Sequence, residues 1–231
     1  MVDKGRDFRK TKRFTKISNK FYFKKDKQRP VLAEIDGVDA SGKTTLAEEL
    51  AKELESSKRP IIRASIDGFH NSKSIRYAKG EDSPEGYYYN SFNYKALVKV
   101  LLKPLSSGKL LYKTSVFDYK TDSNVESPFQ QAASNSILIM EGVFLFRPEL
   151  VNYWDIKIFV DADFKVTVER AVKRNTEKDY IGSEQKIRSK YEKRYIPGQQ
   201  IYFRKASPKE KADIVINNND FENPLLTKKP I

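Results

Sequence analysis

The segment Gly37-Val38-Asp39-Ala40-Ser41-Gly42-Lys43-Thr44 sets glycine, four residues, glycine, lysine and threonine in the order that builds a phosphate cradle. The glycines allow close backbone approach to a ligand. Backbone N–H groups from Gly37, Asp39, Ala40, Ser41 and Gly42 through Thr45, with the start of a following helix, would surround a polyphosphate. Lys43 would bridge the β- and γ-phosphates, and the Thr44 hydroxyl would ligate Mg²⁺. A chance match in a turn before a helix is the competing explanation, and a chain with 10 glycines makes it rare. No Asn-Lys-x-Asp guanine-reading sequence occurs, so the expected nucleotide is ATP.

The flanking sequence supplies the elements such a loop needs. Residues 31–36 form a short apolar run that reads as a buried strand. Ala47, Leu50, Ala51 and Leu54 share one face of a helix over residues 45–54. Further strands are predicted at 61–66, 137–140, 156–160 and 212–216, and helices at 93–102, 164–174 and 183–195. This alternation predicts an α/β fold with a parallel sheet sandwiched by helices. Asp67 and Glu141 each end a strand, at the carboxyl edge where open α/β sheets bind ligands. Asp36 also ends a strand, but directly before Gly37 it reads as a support for the loop.

With 231 residues, 39% hydrophobic and 12% aromatic, the chain suits one α/β domain and excludes disorder throughout. No apolar run reaches the length of a membrane span and no signal peptide is evident, so a cytoplasmic protein is expected. Cysteine is absent, which excludes disulfides and thiolate metal sites. The net charge of +13 is uneven: residues 1–30 hold 12 Lys/Arg against 3 Asp/Glu, a net of +9. The expected organisation is therefore a basic extension, 1–30, before one α/β domain, 31–231. The extension could be solvated or could bind nucleic acid or an acidic surface. Phe21-Tyr22-Phe23 suggests that its end packs on the domain.

The loop, the Ser65-Ile66-Asp67-Gly68-Phe69-His70 turn, Met140-Glu141-Gly142-Val143, Lys157–Asp161 and Tyr195-Ile196-Pro197-Gly198-Gln199-Gln200 together resemble the uridine kinase and phosphoribulokinase family of P-loop kinases. The resemblance runs from about residue 31 to 217. It implies a P-loop NTPase fold with a mobile, Arg-bearing lid and transfer of phosphate from MgATP to an acceptor hydroxyl. Asp67 would take the hydroxyl proton and lie near Mg²⁺, and Glu141 would hold the metal directly or through water. Either carboxylate could instead satisfy its local turn. Arg170 and Arg174, one turn apart, and Arg188 and Arg194 in the lid would stabilise charge on the transferred group. The alternative for all four is a solvated basic helix face.

The acceptor side departs from uridine kinases, which carry Tyr-Asp-Phe-x-x-His-x-Arg. Here Phe117-Asp118-Tyr119-Lys120-Thr121-Asp122-Ser123-Asn124 puts Asp122 for the histidine and Asn124 for the arginine. Asn90-Ser91-Phe92-Asn93 likewise replaces the family's Asp-Ala-Phe-Asp. Tyr87, Tyr88, Tyr89 and Phe92 could wall the acceptor or pack the fold, and His70 could touch the acceptor or sit at the surface. Trp154 is expected to pack on the sheet. The leading acceptor is a nucleoside such as uridine or cytidine. A P-loop ATPase or a nucleotide-dependent nucleic-acid binder is the alternative, and a homo-oligomer is compatible with the sequence.

Overall fold

The computed structural model describes residues 17–21 and 28–228. Six strands form one sheet: β1 (Val31–Gly37), β2 (Ile61–Ser65), β3 (Ile137–Gly142), β4 (Ile156–Asp161), β5 (Ile214–Asn217) and β6 (Leu225–Lys228), in the order β6-β5-β4-β1-β3-β2. Every pairing is parallel except β5 with β6, an antiparallel edge strand that the sequence reading did not anticipate. β1 and β3 are buried along their whole length, which is why they read as unbroken apolar runs.

Alternation along the strands separates two cores. Val31, Ala33 and Ile35 face helix α1 (Lys43–Leu54), where Leu46, Ala47, Leu50 and Leu54 are buried. Leu32, Leu138, Met140 and Phe159 face the opposite side, with Tyr202 and Ala206 of the helix Ile196–Ala206. Trp154 joins this second core, where its indole N–H donates to Leu145 O at 2.9 Å. Helices on both faces of a mostly parallel sheet, with the phosphate loop between β1 and α1, make this the P-loop NTPase fold.

Helix α2 (Pro84–Asn90) starts at Ser83, whose hydroxyl accepts from Gly86 N. Helix α3 (Phe164–Lys173) leads into α4 (Asn175–Ile181) and α5 (Glu184–Lys190), and α6 (Ile196–Ala206) returns across the sheet. The reading of one helix over 183–195 becomes α5 followed by a wider π turn, Tyr191–Tyr195. Residues 17–21 are helical, with Ile17 and Phe21 buried among the α1-side core residues, and Arg59 donates to Phe21 O at 3.0 Å. The rest of the basic stretch up to Lys27, including Tyr22 and Phe23, lies outside the described residues. Among the described residues no helix is long and apolar enough to cross a membrane.

Candidate functional site

The register of the sheet assembles the site. Ser65 and Ile35 both pair with Glu141, so β1, β2 and β3 end side by side. Past those ends lie the Gly37–Thr44 loop and the 3-10 turn Ile66–Phe69 that carries Asp67, next to Glu141 near the end of β3.

The loop is built to be tight. A Cβ on Gly37 would stand 2.4 Å from Val160 O, and Gly42, at φ 99°, would put one 2.5 Å from Asn218 Nδ2. Only glycine fits either place. Asn218 Nδ2 donates to Ser41 O at 2.6 Å, which ties the loop to the chain after β5. Asp36 is fully buried and holds the loop from beneath: it accepts from Gly37 N at 2.5 Å, Leu145 N at 2.9 Å, Phe146 N at 3.3 Å and the Tyr202 hydroxyl. Burial pushes its carboxyl up to about 6, with the Tyr202 and backbone bonds pulling the other way. Asp39 accepts from Tyr87 OH at 2.5 Å and Gln199 Nε2 at 2.6 Å, so α2 and α6 grip the loop crest.

Lys43 is buried and donates from Nζ to Val38 O at 2.8 Å, folded back across its own loop. Thr44 faces the cleft, and its hydroxyl donates to Glu141 Oε2 at 3.3 Å. Burial raises the Glu141 carboxyl, Lys43 opposes this and Asp67 adds to it. The Asp67 side chain is 55% exposed, so water still reaches it. Desolvation by the protein packed around it pushes it up to about 6, and the Asp39 charge contributes. The loop, Asp67 and Glu141 are thus one constellation. It can hold phosphate, supply hard oxygens to a cation and place a base beside both.

The four arginines divide. Arg170 donates from Nη2 to Asn218 O at 2.7 Å and Asn219 O at 3.1 Å, beside the segment that grips Ser41, and its Nη1 has no partner. Arg174 is exposed at the α3–α4 junction, in electrostatic reach of Arg170 and Glu177. Arg188 is forked onto Glu169, at 2.7 and 3.1 Å, and also paired with Glu184. Arg194 is buried, with its donors on the carbonyls of Arg76, Gly80, Glu81 and Ser83. In this conformation neither Arg188 nor Arg194 has a free edge toward the loop.

Of the two readings of the aromatic run, packing holds for three of its four rings. Tyr87, Tyr88 and Phe92 are buried in the core, and Tyr89 is exposed. The rings beside Asp67 are His70 and Tyr119, 5.0 Å apart, with Tyr180 of α4 at 5.5 Å from Tyr119. His70 Nδ1 lies 3.0 Å from Asp67 O, so Nδ1 carries the proton and Nε2 is bare. Burial holds this imidazole down to about 4, neutral at ordinary pH. Glu177, pushed up to about 6 by burial and Asp39, brings a further carboxyl from α4. Sequence reasoning missed Glu177, Tyr180, Arg76 and Asn218. Only the Asn217-Asn218-Asn219 run after β5 offered a signal.

A model of the phosphoribulokinase / uridine kinase family matches residues 33–219. The uridine kinase of Clostridium novyi (strain NT) is 32% identical over 151 residues, 64% of this chain and 69% of that protein. A chloroplastic uridine/cytidine kinase of Arabidopsis thaliana is 25% identical over 150 residues, and there the match spans 30% of the longer relative. A solved structure described as a possible uridine kinase from Bacillus stearothermophilus has a TM-score of 0.64 at 21% identity, covering 86% of this chain and 98% of that one. That likeness speaks for the fold.

Proposed function

This chain belongs to the phosphoribulokinase / uridine kinase family, and from that premise we propose that it moves the γ-phosphate of MgATP to a hydroxyl of a small acceptor, a nucleoside such as uridine or cytidine. The observation that carries the reading is the convergence of the Gly37–Thr44 loop, Asp67 and Glu141 at three adjacent strand ends. Nucleotide binding alone needs the loop. A second carboxylate across the cleft suits a hydroxyl that must lose its proton.

Asp67 takes the acceptor's hydroxyl proton, and the oxygen forms a bond to the γ-phosphorus as the bond to the β-phosphate bridging oxygen breaks, leaving ADP. An acid pushed up to about 6 is mostly ionised at neutral pH and basic enough to help. Lys43 leaves Val38 O for the phosphates, and loop N–H groups hold them. Arg170 donates from Nη1, its unpartnered nitrogen, to the transferred group, and Arg174 adds charge beside it.

The donor set fits Mg²⁺. Thr44 Oγ1 and Glu141 Oε2 are adjacent hard oxygens, Asp67 is close by, and among the described residues no three acidic or histidine groups could hold a metal unaided. Mg²⁺ suits that arrangement because it keeps waters and phosphate oxygens as ligands. When bound it neutralises charge on the phosphates.

The test is ADP release from MgATP across uridine, cytidine, other nucleosides, pantothenate and small sugar alcohols. Nucleoside-stimulated release, lost in Lys43→Ala, supports the proposal. Release stimulated by RNA or DNA and by no small acceptor would sink it.

A further inference from the structure

We propose that Arg76, held by Asp122, is the residue that reads the acceptor, its guanidinium donating to a ring carbonyl of a neutral substrate seated beside Asp67 and against the His70–Tyr119 pair. This rests on the kinase reading above and names the specificity group of that same site.

Arg76 is 3% exposed. Its Nη2 donates to Asp122 Oδ1 at 3.1 Å, and Nε and Nη1 have no partner. Buried donors on a charged group are costly to leave unmade. Arg194, a few ångströms away by its bond to Arg76 O at 2.9 Å, shows what a purely architectural arginine looks like here, with both terminal nitrogens on carbonyls. Arg76 is instead unfinished, and its position says for what. It lies in electrostatic reach of Asp67, His70, Tyr119 and Tyr180. Tyr180 comes from α4, with its hydroxyl 3.5 Å from that of Tyr77. An acceptor bound here supplies the oxygen that the two unpartnered Arg76 nitrogens lack.

The departure at 122–124 gains a cause. Asp122 stands where the resemblance expects a histidine, and it points its Oδ1 at Lys73 N, 2.9 Å, and at Arg76. Its backbone sits in the left-handed region, φ 55°, a strained setting that serves this placement. Asn124, where an arginine is expected, is exposed and paired to Phe117 in a two-residue ladder. The guanidinium absent at 124 is delivered to the cleft from residue 76 instead.

Charge selects the acceptor's chemistry. Asp122 offsets Arg76, and the carboxylates of Asp39 and Glu177 both act on Asp67 or on each other. A carboxylate or phosphate on the acceptor would meet these groups as a like charge. A carbonyl of a neutral pyrimidine accepts from Arg76 without that penalty, while its ring lies on His70 and Tyr119.

Binding is measured apart from turnover, by saturation-transfer NMR and titration calorimetry of uridine and cytidine into the full chain loaded with Mg²⁺ and a non-hydrolysable ATP analogue. Arg76→Lys keeps the charge and loses the planar fork, Arg76→Ala removes both, and Asp122→Asn frees the guanidinium to turn. Nucleoside affinity is expected to fall about 10- to 100-fold in Arg76→Ala and less in Arg76→Lys, with analogue affinity and the circular dichroism spectrum unchanged. Should Arg76→Ala not fold, Arg76→Lys decides alone. Unchanged nucleoside binding in a folded variant overturns the proposal, as does a wild-type protein that binds hydroxy acids or sugar phosphates and no nucleoside. Nucleoside binding that depends on Arg76 without any phosphate transfer would instead overturn the kinase reading and leave this one standing.

Discussion

Replacing Arg194 by alanine separates a structural role for this arginine from a catalytic one. Its Nη1 donates to Gly80 O at 3.2 Å, Glu81 O at 3.2 Å and Ser83 O at 3.0 Å, and its Nη2 to Arg76 O at 2.9 Å. The guanidinium also lies 4.7 Å from the Tyr77 ring centroid, and the residue is 2% exposed. A charge-assisted hydrogen bond contributes about 1.5–3 kcal/mol net. Three of these carbonyls share one nitrogen, so the four bonds do not add in full. The truncation also strands carbonyls out of reach of water. An overall loss of about 3–5 kcal/mol follows, the size of breaking a buried polar network. In a chain of this length that lowers the melting temperature by roughly 6–20 °C. Thermal and urea unfolding can be followed through Trp154, the chain's one tryptophan and a buried one. Arg194→Ala melting within about 2 °C of wild type while phosphate transfer fell a hundredfold would refute the reasoning and place Arg194 in the chemistry.

Two further outcomes concern titration. Because Asp67 is pushed up to about 6, kcat/KM should fall roughly tenfold per pH unit below that value, in an acid limb that a pH–rate profile would show. A flat profile from pH 5 to 8 would remove Asp67 as base. Tyr202→Phe takes a donor from Asp36 and raises its carboxyl beyond about 6. A raised acid favours the fold at low pH and loses that contribution as the pH rises through the folded value. The variant should therefore be less stable than wild type by about 1–3 kcal/mol at pH 8, and the gap should shrink by pH 5. A gap that widens toward low pH would contradict the arrangement around Asp36.

The donor half of the site was legible because its chemistry is local in sequence. Eight consecutive residues make the loop, and unbroken apolar runs mark β1 and β3 as central strands, one leading into the loop and the other carrying Glu141, with Asp67 just past the neighbouring β2. The proposed acceptor half was not, because contacts between distant residues make it. Arg76 and Asp122 are 46 positions apart, and Tyr119 meets Tyr180 from another element. Tyr87 carries an aromatic signal that suits either a wall or a core, and its hydroxyl on Asp39 could not be read from spacing. β6 escaped notice because a short antiparallel edge strand near the chain end lacks a long apolar run. Glu34 is fully buried in β1, and neither carboxylate oxygen has a partner. Burial, with Asp36 next to it, raises this carboxyl well above its ordinary range, which favours the protonated form. Nothing in the structure accounts for its presence there.

The central claim is that the Gly37–Thr44 loop and Asp67 are two halves of one transfer site. Asp67→Asn tests it most directly, with two readouts on the same sample: binding of a fluorescent ATP analogue, and transfer of labelled γ-phosphate to uridine or cytidine. The loop's bonds to Asn218, Asp36 and its own backbone do not involve Asp67. The account predicts nucleotide affinity within about twofold of wild type and transfer slowed about 10²- to 10⁴-fold. Transfer at the wild-type rate, or loss of nucleotide binding together with transfer, would contradict it.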